Sequence, residues 1–258
     1  AITDAGVNKP YVIKIAPGIY TETASVVLKD YVDVEGSGQD ITTIECACAN
    51  ASNTALSATV STGNIAAEIR HLTINNTGGG NISFGVYTNS VTDGSFSMLH
   101  VTATATGGTE SNYGVFNHAS SSPSMTNVTA TATAGNYSYG MMNLSSSSPS
   151  MNNVTATATG GTIGNYGVIN VISSSPSMTN VTATATGGTN SYGVKNEATS
   201  SPTIRNSSIT GTTNSISNGL SSSAKVADTA LGGAVGGAGF TCVRVFDTAF
   251  VALGTSCV

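Results

Sequence analysis

A segment of 26 or 27 residues recurs through the middle of the chain, and this repetition limits the folds available to it. Successive copies place one apolar residue in the same column, at Met98, Met125, Met151, Met178 and Ile204. Each copy alternates apolar and polar residues, is rich in β-branched residues and is broken by Gly and Ser-Pro, which is typical of short strands and not of helices. We therefore predict an all-β fold, a parallel β-helix in which each strand pairs with its copy in the next coil.

One strand of the repeat reads Val-Thr-Ala-Thr-Ala-Thr in each of four copies. Because alternate side chains of a strand point to opposite sides, we expect the apolar members inside and the threonines outside. The outward columns, a candidate binding surface, are Thr102, Thr104, Thr106, Thr129, Thr131, Thr133, Thr155, Thr157, Thr159, Thr182, Thr184 and Thr186. Ser208, Thr210 and Thr212 extend these columns into the next copy.

A second recurring strand reads Tyr-Gly-Val-X-Asn or a close variant of it, and we expect its Tyr and Val residues to stack inside the coils. Its asparagines form one predicted ladder, with the members Asn117, Asn143, Asn170 and Asn196. A further ladder contains Asn127, Asn153, Asn180 and Asn206, with His71 and His100 in the same column. We predict that both ladders lie at coil corners, where Asn tolerates a left-handed backbone, and that the two histidines replace Asn there and have no catalytic role.

The composition limits the partners of this chain. Only 8% of the residues are charged, the net charge is -5, and the eight Lys and Arg are scattered, so we expect a neutral, hydroxyl-rich surface that binds no nucleic acid. No run of 18 apolar residues is present, which argues against a membrane span. The first residues do not resemble a signal peptide, so if the chain is exported we expect its leader to have been removed.

Four cysteines lie outside the repeats. We predict that Cys242 and Cys257 form a disulfide closing the C-terminal segment, as suits an oxidising compartment; the alternative is a pair of buried thiols. Cys46 and Cys48 lie two residues apart on a predicted strand, so we expect them to share a face as core residues without a bridge. We expect no metal ion and no cofactor, because further Cys or His ligands are missing near this pair.

The N-terminal stretch YVIKIAPGIYTETASVVLKDYVDVEGSGQDITTIE resembles the opening coils of pectin-methylesterase-like and pectate-lyase-like right-handed β-helices. The later Ser-Pro, Met, Asn-Val and Tyr-Gly-Val-X-Asn pattern is similar to bacterial extracellular right-handed β-helix repeat proteins. Together the resemblances cover about residues 10 to 220 and imply a right-handed coil. They do not carry an activity over, because one fold hosts many functions and the catalytic motifs of these enzymes are missing.

Catalytic groups are scarce in the repeats. From residue 94 to 196 the charged residues are Glu110 and Lys195, with His100 and His118 as further titratable groups, whereas acid-base chemistry on a sugar needs paired groups within reach of one bond. An acidic cluster near the N-terminus is the remaining candidate for a calcium site or a catalytic pair; its members are Asp30, Asp33, Glu35, Asp40 and Glu45. We favour a solvated N-terminal cap that prevents edge-to-edge stacking.

We expect three regions: residues 1–66 as an N-terminal cap with the first coils, 67–220 as regular coils, and 221–258 as a C-terminal capping β segment. The leading functional hypothesis is a secreted, non-catalytic structural or adhesive protein, displayed at a cell surface or in a fibre and able to stack with copies of itself. The alternative is ice binding, because the threonine columns resemble the Thr-X-Thr faces of β-solenoid antifreeze proteins. A carbohydrate-binding or carbohydrate-active β-helix is the third hypothesis.

Overall fold

The computed structural model describes residues 2–50, 57–92 and 94–258. Over this part of the chain the regular structure is all β, and parallel strands stack into a β-solenoid of about eight turns. The predicted fold class is therefore confirmed. Within the same residues, no helix is long and apolar enough to cross a membrane.

The strands in the described residues are, in chain order, β1 (Tyr11–Lys14), β2 (Gly18–Glu22), β3 (Val26–Val27), β4 (Val32–Glu35), β5 (Thr42–Cys46), β6 (Val60–Thr62), β7 (Ala67–Asn76), β8 (Ile82–Asn89), β9 (Phe96–Ala105), β10 (Ser111–His118), β11 (Ser124–Thr133), β12 (Tyr137–Leu144), β13 (Ser150–Asn152), β14 (Thr155–Thr159), β15 (Gly164–Val171), β16 (Ser177–Thr179), β17 (Thr182–Thr186), β18 (Asn190–Glu197), β19 (Thr203–Arg205), β20 (Ser208–Gly211), β21 (Asn214–Asn218), β22 (Ala224–Ala227), β23 (Ala230–Gly232), β24 (Val235–Gly236), β25 (Phe240–Val243) and β26 (Phe246–Asp247).

Two sheets run along the solenoid. A typical coil gives two segments to the first sheet, such as β13 and β14, and one to the second sheet, such as β15. Over the described residues the first sheet has 17 strands and the second has nine, in the order β24-β21-β18-β15-β12-β10-β8-β6-β3. Each strand pairs in parallel with its copy one coil away, as β12 does with β10 and β15, so the sheets are built from the sequence repeat itself.

The predicted apolar column lies inside the first sheet. The pairing joins Ile69 to Met98, Met98 to Met125, and onward through Met151 and Met178, and all five side chains are buried. They belong to one continuous core with the inward valines and alanines of the coils. The common face predicted for these residues is confirmed.

The interior is thin where the two sheets meet, and glycine makes the close approach possible. Ala130 and Ala156 are fully buried in the first sheet, opposite the glycine column of the second. A Cβ atom added to Gly140 would lie 2.7 Å from the Gly167 carbonyl oxygen and 2.7 Å from the Thr157 nitrogen. Any larger residue would therefore push the sheets apart.

The two segments of the first sheet meet at a bend where one residue per coil has a left-handed backbone. The column, with φ between 49° and 56°, is His71, His100, Asn127, Asn153, Asn180, Asn206, Asp228 and Arg244. The Asn127 amide nitrogen lies 2.8 Å from His100 Nε2, and the Asn153 amide donates to Asn127. The structure therefore places this column, including His71 and His100, at the predicted corner.

The other asparagine ladder lies inside strands of the second sheet, and the predicted left-handed corner is wrong for it. Asn117, Asn143, Asn170 and Asn196 are fully buried, and each donates its side-chain amide to the carbonyl oxygen of the next asparagine at 2.8 Å, with Asn218 ending the row. The left-handed residues come after them, as Ser145 and Ser146 do after Asn143. The reason is that a ladder bond needs only an in-register copy one coil away, so a strand serves as well as a corner.

The tyrosines stack coil on coil as predicted, and Tyr113 and Tyr166 are buried. The part of the prediction that is wrong is that they share the main core with the valines, because Tyr113 belongs to a separate apolar cluster. Val168 and Val194 are in the main core, whereas Tyr192 lies beside Lys195, whose ammonium group is 4.8 Å from the ring centre. The alternation slips at the intervening glycine, because a Cβ on Gly193 would meet the inward Ile209 side chain at 2.6 Å. The tyrosines therefore line the outer face of the second sheet.

There the rings stack on one another along the axis of the solenoid. Centroids are 4.6 Å apart for Tyr113 and Tyr139, 5.0 Å for Tyr139 and Tyr166, and 5.6 Å for Tyr166 and Tyr192. Burial raises the pKa of the Tyr139 phenol, which stays protonated. Because each ring covers the face of the next, the column seals the sheet and leaves mainly ring edges for a ligand.

Both cysteine pairs are disulfides. The Cys242–Cys257 bridge is confirmed. For Cys46 and Cys48 the predicted shared face holds, since both are buried, but the prediction of unbridged thiols is wrong. Strand β5 ends at Cys46, and the chain then brings the two Cα atoms to 5.1 Å, within bonding range for a disulfide. The two bridges indicate an oxidising environment.

The parallel coils continue beyond residue 220. Strands β22 and β23 pair with β19 and β20, and β25 and β26 pair with β22 and β23. After Asp247 the chain turns back, and an antiparallel bridge joins Phe246 to Ala252. The C-terminal segment thus adds shorter coils before it closes the end of the solenoid.

Replacing Asn143 with alanine should lower the stability strongly, because it leaves the Asn117 amide and the Asn170 carbonyl buried without partners. We expect a loss of about 2 to 5 kcal/mol in the free energy of unfolding, measured by urea denaturation. The matched control is Asn152→Ala, an exposed asparagine of β13, which should change stability by no more than about 0.5 kcal/mol. Equal effects of the two substitutions would contradict a supporting role for the buried ladder.

Candidate functional site

The twelve threonines of the four repeat copies form one surface on the first sheet, here called the threonine face. Strands β9, β11, β14 and β17 carry eleven of them. The pairing aligns Thr102, Thr129, Thr155 and Thr182 in one column and Thr104, Thr131, Thr157 and Thr184 in the next. Thr133, Thr159 and Thr186 continue a third, and Thr106 follows the end of β9.

Strand alternation positions these side chains. The alanines between them are fully buried, and the threonines of β14 are partly exposed. In parallel sheets neighbouring strands are about 4.8 Å apart, and alternate residues of a strand are about 6.5 to 7 Å apart. The face therefore presents methyl and hydroxyl groups on a regular two-dimensional grid.

The lower edge of the grid is bounded by the first coils. The Gln39 side-chain amide donates to the Thr102 hydroxyl at 3.3 Å, and the Thr73 hydroxyl donates to the backbone carbonyl oxygen of Gln39. In the second column Thr104 pairs with Asn75, and Asn75 pairs with Glu45. The charged side chain of Glu45 therefore lies two coils below the grid. Above it, Ser208 and Thr210 extend the columns onto β20.

The acidic cluster predicted near the N-terminus is divided by the fold. Asp33 and Glu35 meet Arg70, with nitrogen to oxygen distances of 3.5 Å and 2.9 Å, and Glu68 joins the same guanidinium at 2.6 Å. Asp30 instead accepts a hydrogen bond from the Ala66 backbone. These acids therefore do not form one free set of oxygens.

The two other members of the cluster lie apart from Arg70. Glu45 accepts a hydrogen bond from the Thr21 hydroxyl at 2.8 Å, and Asp40 is exposed. Among the described residues, no group of three or more His, Cys, Asp and Glu side chains could hold a metal ion. The separation follows from strand alternation: Asp33 and Glu35 share the outer side of β4, on the strand position that pairs with Arg70.

Arg70 was not singled out from the sequence, although a signal was present. Glu68 and Arg70 are two residues apart on β7 and so share a face, and Arg70 pairs directly with Glu35. An alignment of the irregular first coils on the Val34 and Ile69 core positions would have revealed this. The four copies aligned on Met98, Met125, Met151 and Met178 carry no charge at these positions, and the charge returns in this column only at Arg205.

The histidines occupy structural positions. The rings of His71 and His100 stack at 5.0 Å, and His100 Nε2 lies 2.8 Å from the Asn127 amide. His118 Nδ1 is 3.2 Å from the Tyr87 hydroxyl. These contacts join histidines to ladder or aromatic neighbours, and none of them pairs a histidine with a threonine hydroxyl of the face.

Comparisons with solved structures show the fold. The A-module of a mannuronan C-5 epimerase from Azotobacter vinelandii superposes with a TM-score of 0.56 at 15% identity, covering 95% of this chain and 71% of that one. A pectin methylesterase from carrot gives 0.56 at 15% identity, with coverage of 88% and 76%. A pectin methylesterase from Yersinia enterocolitica gives 0.56 at 12% identity, with coverage of 86% and 85%.

At the level of sequence, no family model and no curated protein matches this chain. The structural likeness carries the fold and not an activity, since the identities are low. This chain is a parallel β-helix similar in architecture to pectin methylesterase and epimerase β-helices.

The Arg70 cluster predicts acid sensitivity. The hydrogen bond from Arg70 holds the pKa of Glu35 below its ordinary value of 4.5. The carboxylate form is favoured in the fold, so this contribution to stability is complete above pH 4.5 and is lost as the pH falls through the lowered value. Arg70→Gln should therefore lower the melting temperature more at about pH 7 than at about pH 3.

The matched control for this experiment is Lys225→Gln, which removes one exposed positive charge far from the cluster. Its small effect on the melting temperature should be the same at both pH values. If Arg70→Gln lowers the melting temperature equally at both, the ion pairs do not stabilise the fold.

Proposed function

We propose that this chain is a non-catalytic extracellular β-solenoid that attaches to an extended, uncharged surface through the threonine face. The observation that carries the proposal is the in-register array of threonines over four coils, within a stretch from residue 94 to 196 whose charged residues are Glu110 and Lys195. A large neutral grid favours a large neutral partner, because charged groups would lose hydration there without gaining a counter-charge.

The arrangement of the titratable groups supports binding over catalysis. Sugar hydrolysis uses two carboxyl groups on either side of one bond, whereas Asp33, Glu35 and Glu68 share Arg70. The superposed structures include carbohydrate-active enzymes, which supports a glycan surface as the partner class. The two disulfides support a location outside the reducing cytoplasm.

Particles of microcrystalline cellulose and of chitin test the proposal. We expect the protein to adsorb to at least one of them, and we expect Thr157→Lys to weaken adsorption by about tenfold, because it places a charge at the centre of the grid. Adsorption is measured from the protein left in solution, and release of reducing sugars is measured in parallel.

The matched control is Asn152→Lys, which adds the same charge to the exposed side of β13 in the same coil. It should adsorb like the wild type. Equal loss in both variants, no adsorption by the wild type, or release of reducing sugars would each contradict the proposal.

Ice is the second candidate surface, and the regularity of the grid favours it. Three threonine columns repeat along successive strands with only alanine between them. Methyl and hydroxyl groups at such a repeat can order water in two dimensions, whereas one charged or bulky side chain disrupts the order.

Thermal hysteresis and ice recrystallisation assays test the ice hypothesis. The wild type should inhibit ice growth, Thr131→Lys should abolish the inhibition because Thr131 lies in the middle column, and Asn152→Lys should retain it. A wild-type protein without either activity would exclude ice and leave attachment to other surfaces.

A further inference from the structure

A groove at the C-terminal end of the bend is distinct from the centre of the threonine face. Its volume is about 440 Å³, within the range of small-molecule sites. It is lined by residues of four successive coils and of the returning tail, among them Asn180, Thr182, Asn206, Ser208, Phe246 and Phe250. The groove borders the threonine face at Thr182 alone.

Phe250 is the unusual residue of this groove. Its side chain is 86% exposed, and its backbone has φ of 61°, a left-handed conformation that costs energy for a residue other than Gly or Asn. The turn is held by Asp247, whose Oδ1 accepts from the Ala249 nitrogen at 2.8 Å and from the Val251 nitrogen at 2.9 Å. The apolar ring therefore stands exposed at the side of a groove that is otherwise lined mainly by polar residues.

The turn that carries Phe250 is fixed to the solenoid. Phe246 and Ala252 bridge its two sides, and the Leu253 nitrogen donates to the Val245 carbonyl oxygen at 2.8 Å. The Cys242–Cys257 disulfide closes the same segment. The ring is therefore presented at a defined place, which lowers the entropy lost on binding.

The groove offers a neutral polar wall opposite this ring. Asn180 and Asn206 are exposed at left-handed positions, so their amides are available as donors and acceptors. The carboxylate of Asp228 is paired with Arg244 at 2.8 Å, and this contact lowers the pKa of Asp228. The one acid of the lining is thus already neutralised by a cation of the next coil.

We infer that this groove binds an uncharged, polyhydroxylated ring ligand, a segment of a neutral oligosaccharide, with Phe250 stacked on the apolar face of a sugar ring. The amides of Asn180 and Asn206 and the hydroxyl of Ser208 bond to the sugar hydroxyls. Hydroxyl partners match the amide and hydroxyl lining, and the CH face of the ring matches the phenyl group. Asp228 is the one acid of the lining and is paired with Arg244, while Arg205, the other cation that acts on Asp228, is outside the lining.

Isothermal titration with three neutral hexasaccharides, built from β-glucose, β-mannose or N-acetylglucosamine, tests the inference. At least one should bind to the wild type. Phe250→Ala should weaken its binding by about tenfold or more, and Phe250→Tyr should retain it. Asn206→Gly, which removes the amide but suits the left-handed backbone, should weaken binding several-fold.

Two controls separate this site from others. Leu220→Ala removes another apolar side chain, 92% exposed and outside the groove, and should leave the affinity unchanged. Thr157→Lys should also leave it unchanged, so failure at the groove and failure at the threonine face are distinguishable.

Four results would overturn the inference: none of the three hexasaccharides binds, Phe250→Ala binds as the wild type does, only a hexamer of galacturonic acid binds, or sedimentation shows a wild-type dimer that Phe250→Ala converts to a monomer. In the last case a second copy of the chain covers the ring.

Discussion

In-register parallel pairing between coils is the constraint on which the rest of this structure depends. From β9 to β20 each strand bonds to its own copy 26 or 27 residues away, so many side chains lie against a side chain of the same type. An amide then meets an amide, as Asn143 meets Asn170, and a ring meets a ring, as Tyr113 meets Tyr139. A residue that differs at one position in every copy of the repeat therefore alters a whole column of side chains.

The buried asparagine ladder helps to select this register. The ladder amides are satisfied only when each strand meets its copy without a shift, and a shift of one residue would leave several buried polar groups without partners. The glycine column adds a steric condition, because the space beside Gly140 and Gly167 is taken by backbone atoms. The core thus combines apolar burial with two strict requirements, amide pairing in the asparagine ladder and the absence of a side chain in the glycine column.

The outer surfaces differ in charge along the solenoid. The threonine face presents neutral columns, while the ion pairs lie elsewhere, around Arg70 near the N-terminus, between Lys195 and Glu197 on β18, and between Asp228 and Arg244 near the C-terminus. Surface binding at the threonine face and ligand binding in the groove beside Phe250 would then use different parts of one rod. The tyrosine stack takes part in neither, since its ring faces are covered by neighbouring rings.

The solenoid, the Met98 to Met178 core column and the outward threonines were predictable from the sequence alone, because repetition and period-two patterning report on pairing between identical neighbours. The Cys242–Cys257 bridge was predictable from the position of two cysteines in the C-terminal segment. Features that depend on local backbone geometry became clear from the folded chain. The alternation slips at the glycine before Val194, which turns Tyr192 outward; the chain closes after β5, which joins Cys46 to Cys48; and the groove at Phe250 assembles four coils with a returning tail that has no copy in the repeat. A periodic sequence pattern does not indicate where the backbone departs from the regular coil.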